Sequence, residues 1–403
     1  GHMTRSHLPY VVLGLVALAA FAALAIWGIP YFVTPVQTSG QTSTFGSQTA
    51  KARVSQILEE GQIELNGRDQ LYQVMRVVIL EGEYQGIPFQ IDYGKRALRT
   101  DNFRFAPGDE VYVTLSRAPD NVINAYYDDY VRTRPLLILF TAFVVSILIL
   151  GRWKGLRSLV ALALSMLMIV GYIIPHILAG EDPVKVSLIG SMILLGVTLY
   201  LTYGWNLKTH ASVLSMLLSL LLAGLLSLLF VSLTRLTGYG DENSLFLMQQ
   251  SSIQINPRGL LLGGMIIGAL GVLDDLVTSQ SAAVVEIRDA NPALGFGLVF
   301  RKAMRVGQDH VAATVNTLVL AYTGASLPLL LIFTLAQGRF SYLINSEFLA
   351  EEIVRTLAGS LALIAAVPIS TMIAAALMVY QDRLGDWRPI LGPEAGDYNP
   401  AAE

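Results

Sequence analysis

The chain has 403 residues, 53% of them hydrophobic and only 14% charged, with a formal net charge of −3 and a mean hydropathy of +0.55. An ordinary soluble chain carries about a quarter charged residues, so a purely water-soluble protein is excluded, while the small net charge says little about partners. The lack of cysteine rules out disulfides and thiol chemistry and disfavours a zinc site.

Gly1 and His2, ahead of Met3, read as the remnant of a removed tag. The first apolar run, Leu8 to Ile29, follows Arg5 and lacks a clean small-x-small cleavage site. It is expected to be an uncleaved anchor, residues 1–33, with its N-terminus in the cytoplasm. Residues 34–134 differ in kind. Thr38 to Thr49 reads as a flexible Thr/Ser/Gly/Gln linker. Short β-type runs follow: Ile63 to Leu65 before Asn66-Gly67, Gln73 to Leu80 before Glu81-Gly82, Pro88 to Tyr93, and Val111 to Leu115 after Pro107-Gly108-Asp109. Asn-Gly and Pro-Gly-Asp are turn signals with a mechanism. The expectation is a small extracytoplasmic β-domain, an OB-like barrel or a sandwich.

Seven further apolar runs fill residues 135–381, at about 135–151, 159–179, 184–204, 211–234, 258–281, 311–335 and 356–380. Each is of the length that crosses a hydrocarbon core of about 30 Å as a helix. Arg152, Lys154 and Arg157, then Lys208, then Arg288, Arg301, Lys302 and Arg305, then Arg383 and Arg388 fall in alternate loops. That bias places those loops and the tail, residues 382–403, in the cytoplasm. The expected fold class is therefore a polytopic α-helical membrane protein of about eight transmembrane helices, in a bacterial cytoplasmic (inner) membrane, with both termini cytoplasmic. Between the sixth and seventh spans, Leu294, Phe296, Leu298, Val299 and Phe300 precede the basic group. That pattern fits a helix lying on the inner membrane face, or equally a loop helix packed on protein. His176 and Tyr172 read as interfacial residues, and Trp205 beside Tyr203 as an aromatic-belt residue.

The sixth span carries the chemistry. Gly264, Gly268 and Gly271 recur at spacings of four and three, on the face that continues through Asp275, Thr278 and Glu286. Small residues admit a neighbouring helix, so the glycines are expected to pack and to turn the carboxylates toward protein. Asp274 and Asp275 lie about 16 residues into the span. Each carboxylate there costs a few kcal/mol on insertion scales, which makes the pair a functional candidate by default. Thr314, Asn316 and Thr317 of the seventh span count to a similar depth and can donate to carboxylates or line a water path. Pro328 and Pro368 are placed to bend the last two spans. The competing structural reading makes the two aspartates a satisfied polar knot that fixes helix register.

The stretches from Gly268 to Glu286 (GALGVLDDLVTSQSAAVVE) and from Val306 to Pro328 (VGQDHVAATVNTLVLAYTGASLP) resemble the signature of the YibE/F family of bacterial multi-pass proteins. That resemblance implies membrane residence without an assigned activity. A weaker one concerns resistance–nodulation–division transporters and the proton-driven accessory subunits of the Sec translocon. Asp274, Asp275 and Glu286, then the stretch Lys302 to Gly307, then Thr314 and Thr317 stand in the order of their Asp-Asp helix, basic cytoplasmic stretch and Thr-containing helix. The second half that usually supplies a basic partner is not found, so this resemblance implies a homo-oligomer or another partner.

The sequence thus points to H⁺- or cation-coupled transport through Asp274, Asp275, Thr278, Glu286, Thr314, Asn316 and Thr317, without cofactor or metal. The alternative is a scaffold or envelope-assembly factor whose outer β-domain binds a protein or polymer. An intramembrane enzyme is disfavoured, because aspartyl proteolysis needs carboxylates from two helices and no H-E-x-x-H site is present. Membrane lipid is the expected surround, nucleic acid is not an expected partner, and the substrate is not encoded legibly.

Overall fold

The computed structural model describes residues 47–96, 103–117, 122–250, 254–335, 340–387 and 389–394. The anchor run 8–29, most of the linker and Arg388 lie outside them. Two compact units divide the chain, one comprising 35–146 and the other the remainder.

The first unit is an antiparallel sheet of five strands: β1 (Ser47–Leu65), β2 (Arg68–Ile79), β3 (Pro88–Tyr93), β4 (Glu110–Arg117) and β5 (Ile123–Tyr130), in the order β3-β2-β1-β4-β5. Alternate side chains point inward, as a strand's period of two requires. Ala50, Ala52 and Val54 of β1 meet Met75, Val77 and Ile79 of β2 and Val111, Val113 and Leu115 of β4 in one buried cluster. Asn66 and Gly67 both have positive φ, 53° and 77°, so the Asn-Gly pair forms the expected tight turn. Register shifts between Val54 and Gln56 and between Ile57 and Glu59 bulge β1. Beyond them the β1–β2 ribbon is largely exposed. The sheet curls into a half-barrel, because the edge strands β3 and β5 come together through aromatic rings. Tyr93 stands 5.1 Å from Tyr127, and Phe105 packs edge-on to Tyr93 at 4.9 Å. Gln73, wholly buried, fixes the segment bearing Phe105 by accepting from its N–H (2.7 Å) and donating to its carbonyl (3.1 Å). Ser47 to Thr49 belong to β1 and not to a linker, since they pair with Thr114 to Ser116.

The second unit is helical: α1 (Thr133–Met168, begun in the first unit), a π-helical turn (Ile169–Ile173), α2 (Ile174–Leu178), α3 (Pro183–Tyr203), α4 (Leu207–Leu233), α5 (Glu242–Gln250), α6 (Pro257–Ala290), α7 (Phe296–Ala325), α8 (Leu327–Leu335), α9 (Phe340–Ile344) and α10 (Glu347–Val379). Among the described residues, five helical stretches are long and apolar enough to cross a membrane: Thr133–Leu178, Pro183–Tyr203, Leu207–Leu233, Pro257–Ala290 and Glu347–Val379. The runs expected at 135–151 and 159–179 fall in one 46-residue stretch, broken at Arg152 by φ 47° and ψ −125°. A Cβ on Gly155 would stand 2.4 Å from the carbonyl oxygen of Ile147. Eight residues of straight helix would separate the two by about 12 Å, so the chain doubles back here. The run expected at 311–335 falls in α7 and α8, which break at Ser326, just before Pro328.

Contacts fix the directions. Leu207 and Ala211 of α4, Val284 and Val285 of α6, Val299 and Ala303 of α7, and Ala374, Ala375 and Met378 of α10 share one cluster. Val231 of α4, Leu261, Leu262 and Met265 of α6, and Val354 and Ala358 of α10 share another. Helices α6 and α10 therefore run together and α4 runs opposite. Close packing rests on small residues at spacings of four: Ala358, Ala362, Ala366, Ser370 and Ala374 of α10 are all buried. Pro368 lies inside α10, which continues through it. The basic stretch after Leu294 is the first part of α7. Its Val299 and Ala303 are fully buried against α6 and α10, so it packs on protein rather than lying along a membrane surface as a separate helix.

Candidate functional site

Helix α6 begins at Asn256, whose side chain accepts from the Gly259 N–H, with Pro257 in the first turn, where its missing N–H costs nothing. From there the helix presents two faces. On one, Gly263 sits where an added Cβ would stand 2.6 Å from Ser187 Oγ and 3.1 Å from Pro183 O, so α3 approaches on the strength of that glycine. Lower on the same helix, the buried amide of Gln280 donates to Ala303 O (2.8 Å) on α7 and to Thr371 Oγ1 (2.7 Å) on α10. Three helices are thereby pinned in one register.

The other face carries the expected site, and it is open. Gly264 and Gly271 have nothing within 4 Å of an added Cβ, and Gly268 meets only the Tyr322 hydroxyl, at 3.3 Å. The expectation that this glycine series packs a helix closely is corrected. The tight contacts belong to Gly263 on α6 and to Gly307 on α7, where a Cβ would stand 2.5 Å from Val367 and 2.8 Å from Gln280 Oε1. Nor do the carboxylates turn inward: Asp274 and Asp275 are both exposed within the chain, Asp275 with 76% of its side chain free.

Asp275 nonetheless has a neighbour. Its Oδ2 stands 3.9 Å from His310 Nε2 on α7. This exceeds a direct hydrogen bond and is a loose contact between the two side chains. Tyr203, the last residue of α3, stands beside Thr278 and within the field of both carboxylates. The Thr278 hydroxyl donates to its own helix, to Asp274 O at 2.7 Å. Thr314 lies one turn beyond His310 and donates to His310 O (2.8 Å), and Thr317 donates to Ala313 O (3.0 Å). Asn316 is exposed and, among the described residues, bonds neither carboxylate; Glu286 is exposed three turns further along α6. The structure thus brings together Asp274, Asp275 and Thr278, adds Tyr203 and His310, and leaves Asn316, Thr317 and Glu286 apart from them. His310 had one sequence signal, its place four residues before Thr314 on the same helix face. Carboxylate, imidazole, phenol and hydroxyl are the groups that accept and release protons or hold a cation.

Comparison with curated proteins returned no match, and neither did comparison with solved structures. The family described as YibE/F-like protein matches residues 139–380. That range takes in most of α1 and every later helix as far as the end of α10, including both carboxylates and His310. The chain belongs to the YibE/F-like protein family.

Proposed function

We propose that this protein is a multi-pass membrane transporter that moves H⁺ or another cation by way of Asp274 and Asp275, with His310 as the group that shares the ion. One observation carries the reading: both carboxylates are exposed within the chain, and an imidazole stands 3.9 Å from one of them. A polar knot that fixes register does exist, but Gln280 forms it with Thr371 and Ala303 O. The structural explanation for the aspartates is thus already taken by another residue. A carboxylate in a bilayer-spanning helix that serves no packing role needs a water path or an ion to offset its cost.

Eight spans complete the reading. The chain reversal at Arg152 makes two spans of Thr133–Leu178, with α3, α4, α6, α7 with α8, and α10 as five more; the run 8–29 is the eighth. Charge bias puts the Ala290 end of α6 in the cytoplasm of an inner-membrane protein, with both termini cytoplasmic and residues 34–134 outside. The strand order β3-β2-β1-β4-β5, with β3 meeting β5, supports an OB-like barrel for that outer unit. The order of motifs shared with resistance–nodulation–division transporters and Sec accessory subunits agrees with ion coupling, and fold-level likeness alone would not decide it.

The test is proton entry into proteoliposomes that hold a pH-sensitive dye, under an imposed potential of either sign. Entry is expected for the wild type and lost in Asp274→Asn or Asp275→Asn, with His310→Gln strongly reduced and every variant eluting as a folded species. Undiminished entry in both folded aspartate variants would sink the proposal. The scaffold reading would then lead, and the exposed Ile87, Val122 and Tyr126 of the β unit would be the place to seek a partner.

A further inference from the structure

Four helices of the bundle enclose a small cavity that none of the groups above occupies. Ser227 of α4, Gly268 of α6, Tyr322 of α7 and Arg355 with Gly359 of α10 line it, over a floor of Leu273 and Leu363. Its volume is about 10 Å³, which is room for about one water. The two glycines are what leave the space. A methyl on Gly268 would press the Tyr322 hydroxyl at 3.3 Å, and one on Gly359 would meet Leu318 at 3.7 Å. On α6 the cavity lies seven residues before Asp275, about 10 Å along the axis and on the same side of the helix. On the far side of the cavity, Arg355 Nη1 donates to Glu352 Oε1 at 2.6 Å, and the two side chains are only 28% and 24% exposed. The pair stands at the start of the apolar run 356–380, within reach of the membrane interface, and borders the cavity from that end.

We infer that this cavity is the constriction between Asp274–Asp275 and the Glu347 end of the bundle, and that it selects the proton. The inference rests on the transport reading above and names its ion. A space for about one water does not pass a hydrated metal cation. A proton needs no such passage. Water in the cavity accepts a proton on one oxygen lone pair and releases another, and Tyr322 can relay in the same way, gaining one proton as it gives one up; further water would carry the proton over the remaining ~10 Å to Asp275. No net bond is made or broken. Arg355 carries no proton itself. It is a positioning residue that, with Ser227, orients the water, while Glu352 balances its charge.

The experiment is the same flux measurement on the full-length protein, run in Na⁺, K⁺ and choline media with Arg355→Gln, Arg355→Lys, Tyr322→Phe and Asp275→Asn. Proton entry independent of the metal cation is expected. Tyr322→Phe and Arg355→Gln should fall to the residual rate of Asp275→Asn, and Arg355→Lys should recover part of the loss, a rescue that a merely structural arginine does not show. Entry that requires Na⁺ or K⁺ overturns the proton assignment while leaving the aspartate reading intact. Undiminished flux in Tyr322→Phe, with Asp275→Asn inactive, overturns the cavity as the path. Tyr322→Phe removes a single oxygen, so it decides the matter even where Arg355→Gln fails to fold. A wild type that moves no protons under either polarity overturns the transport reading and this inference together.

Discussion

Helix α6 has two faces that look alike in sequence and behave differently in the fold. Both carry glycine near the start and polar side chains further along. One face closes on α3, α7 and α10 through Gly263 and Gln280; the other leaves Gly264, Gly271 and Asp275 uncovered by the chain, and Asp274, about 100° round the helix from Asp275, is exposed as well. The contrast separates polar groups that hold a structure from polar groups the structure holds in readiness. A buried amide with two partners adds to stability and is missed when removed. An exposed carboxylate 3.9 Å from an imidazole adds little to packing, and its presence calls for a function.

The sharpest way to break this comparison is to delete one group from each face. Gln280→Ala strips partners from Thr371 and from the Ala303 carbonyl and opens a void among three helices. The expected cost is about 3 kcal/mol, read as a lowered thermal midpoint of the purified protein in detergent. Asp275→Asn should change stability by no more than about 0.5 kcal/mol, leaving that midpoint nearly unmoved, while abolishing flux. A large drop for Asp275→Asn would return the aspartates to a structural role.

The adjacent glycines sharpen it further. Gly263→Ala drives a methyl to 2.6 Å from Ser187 Oγ, with the Pro183 carbonyl at 3.1 Å behind it. A cost of about 1–2 kcal/mol is expected from the forced shift of α3. Gly264→Ala meets open space and should stabilise by up to about 1 kcal/mol, as alanine does in a helix interior. The same melting experiment reads both, and equal effects would mean that α3 does not lie where the structure has it.

What could be read from the sequence follows from this difference. Apolar runs marked most of the helices, and the turn pairs Asn66-Gly67 and Glu81-Gly82 marked two strand connections, because both signals are local. Of the long strand β1, only its end, Ile63 to Leu65, reads as β-type in the sequence. Its Ala50, Ala52 and Val54 alternate with polar neighbours for only five residues before two bulges scramble the period. For the site, the aspartates stood out because a charge in an apolar run is conspicuous on its own. Which face of α6 would pack did not, since that depends on Ser187, Thr371 and Gly307 arriving from other helices. The small-residue seam of α10 was spaced as regularly as the glycines of α6, and only the fold shows that it is the seam that packs.

The smallest effect concerns a carboxylate in the β unit that, unlike Asp275, is fully paired. Glu110 takes Arg53 at 2.8 Å on one oxygen and Lys51 at 2.6 Å on the other, bridging β4 to β1. Hydrogen bonds from Arg53 first, then from Lys51, hold its carboxyl below the ordinary glutamate range. A carboxyl lowered in the folded state contributes its stability above its unfolded value and loses it as pH falls through the folded one. Solvent screening keeps the amount small, about 0.5 kcal/mol, because the Arg53 side chain is 54% exposed. Glu110→Gln should therefore speed amide exchange around Val54, whose N–H donates to Asp109 O, about twofold at neutral pH. In acid, with the wild-type carboxyl protonated, variant and wild type should exchange alike. A difference that persists in acid would mean that Glu110 acts through packing, and the distinction between paired and unpaired carboxylates would then lose its electrostatic basis.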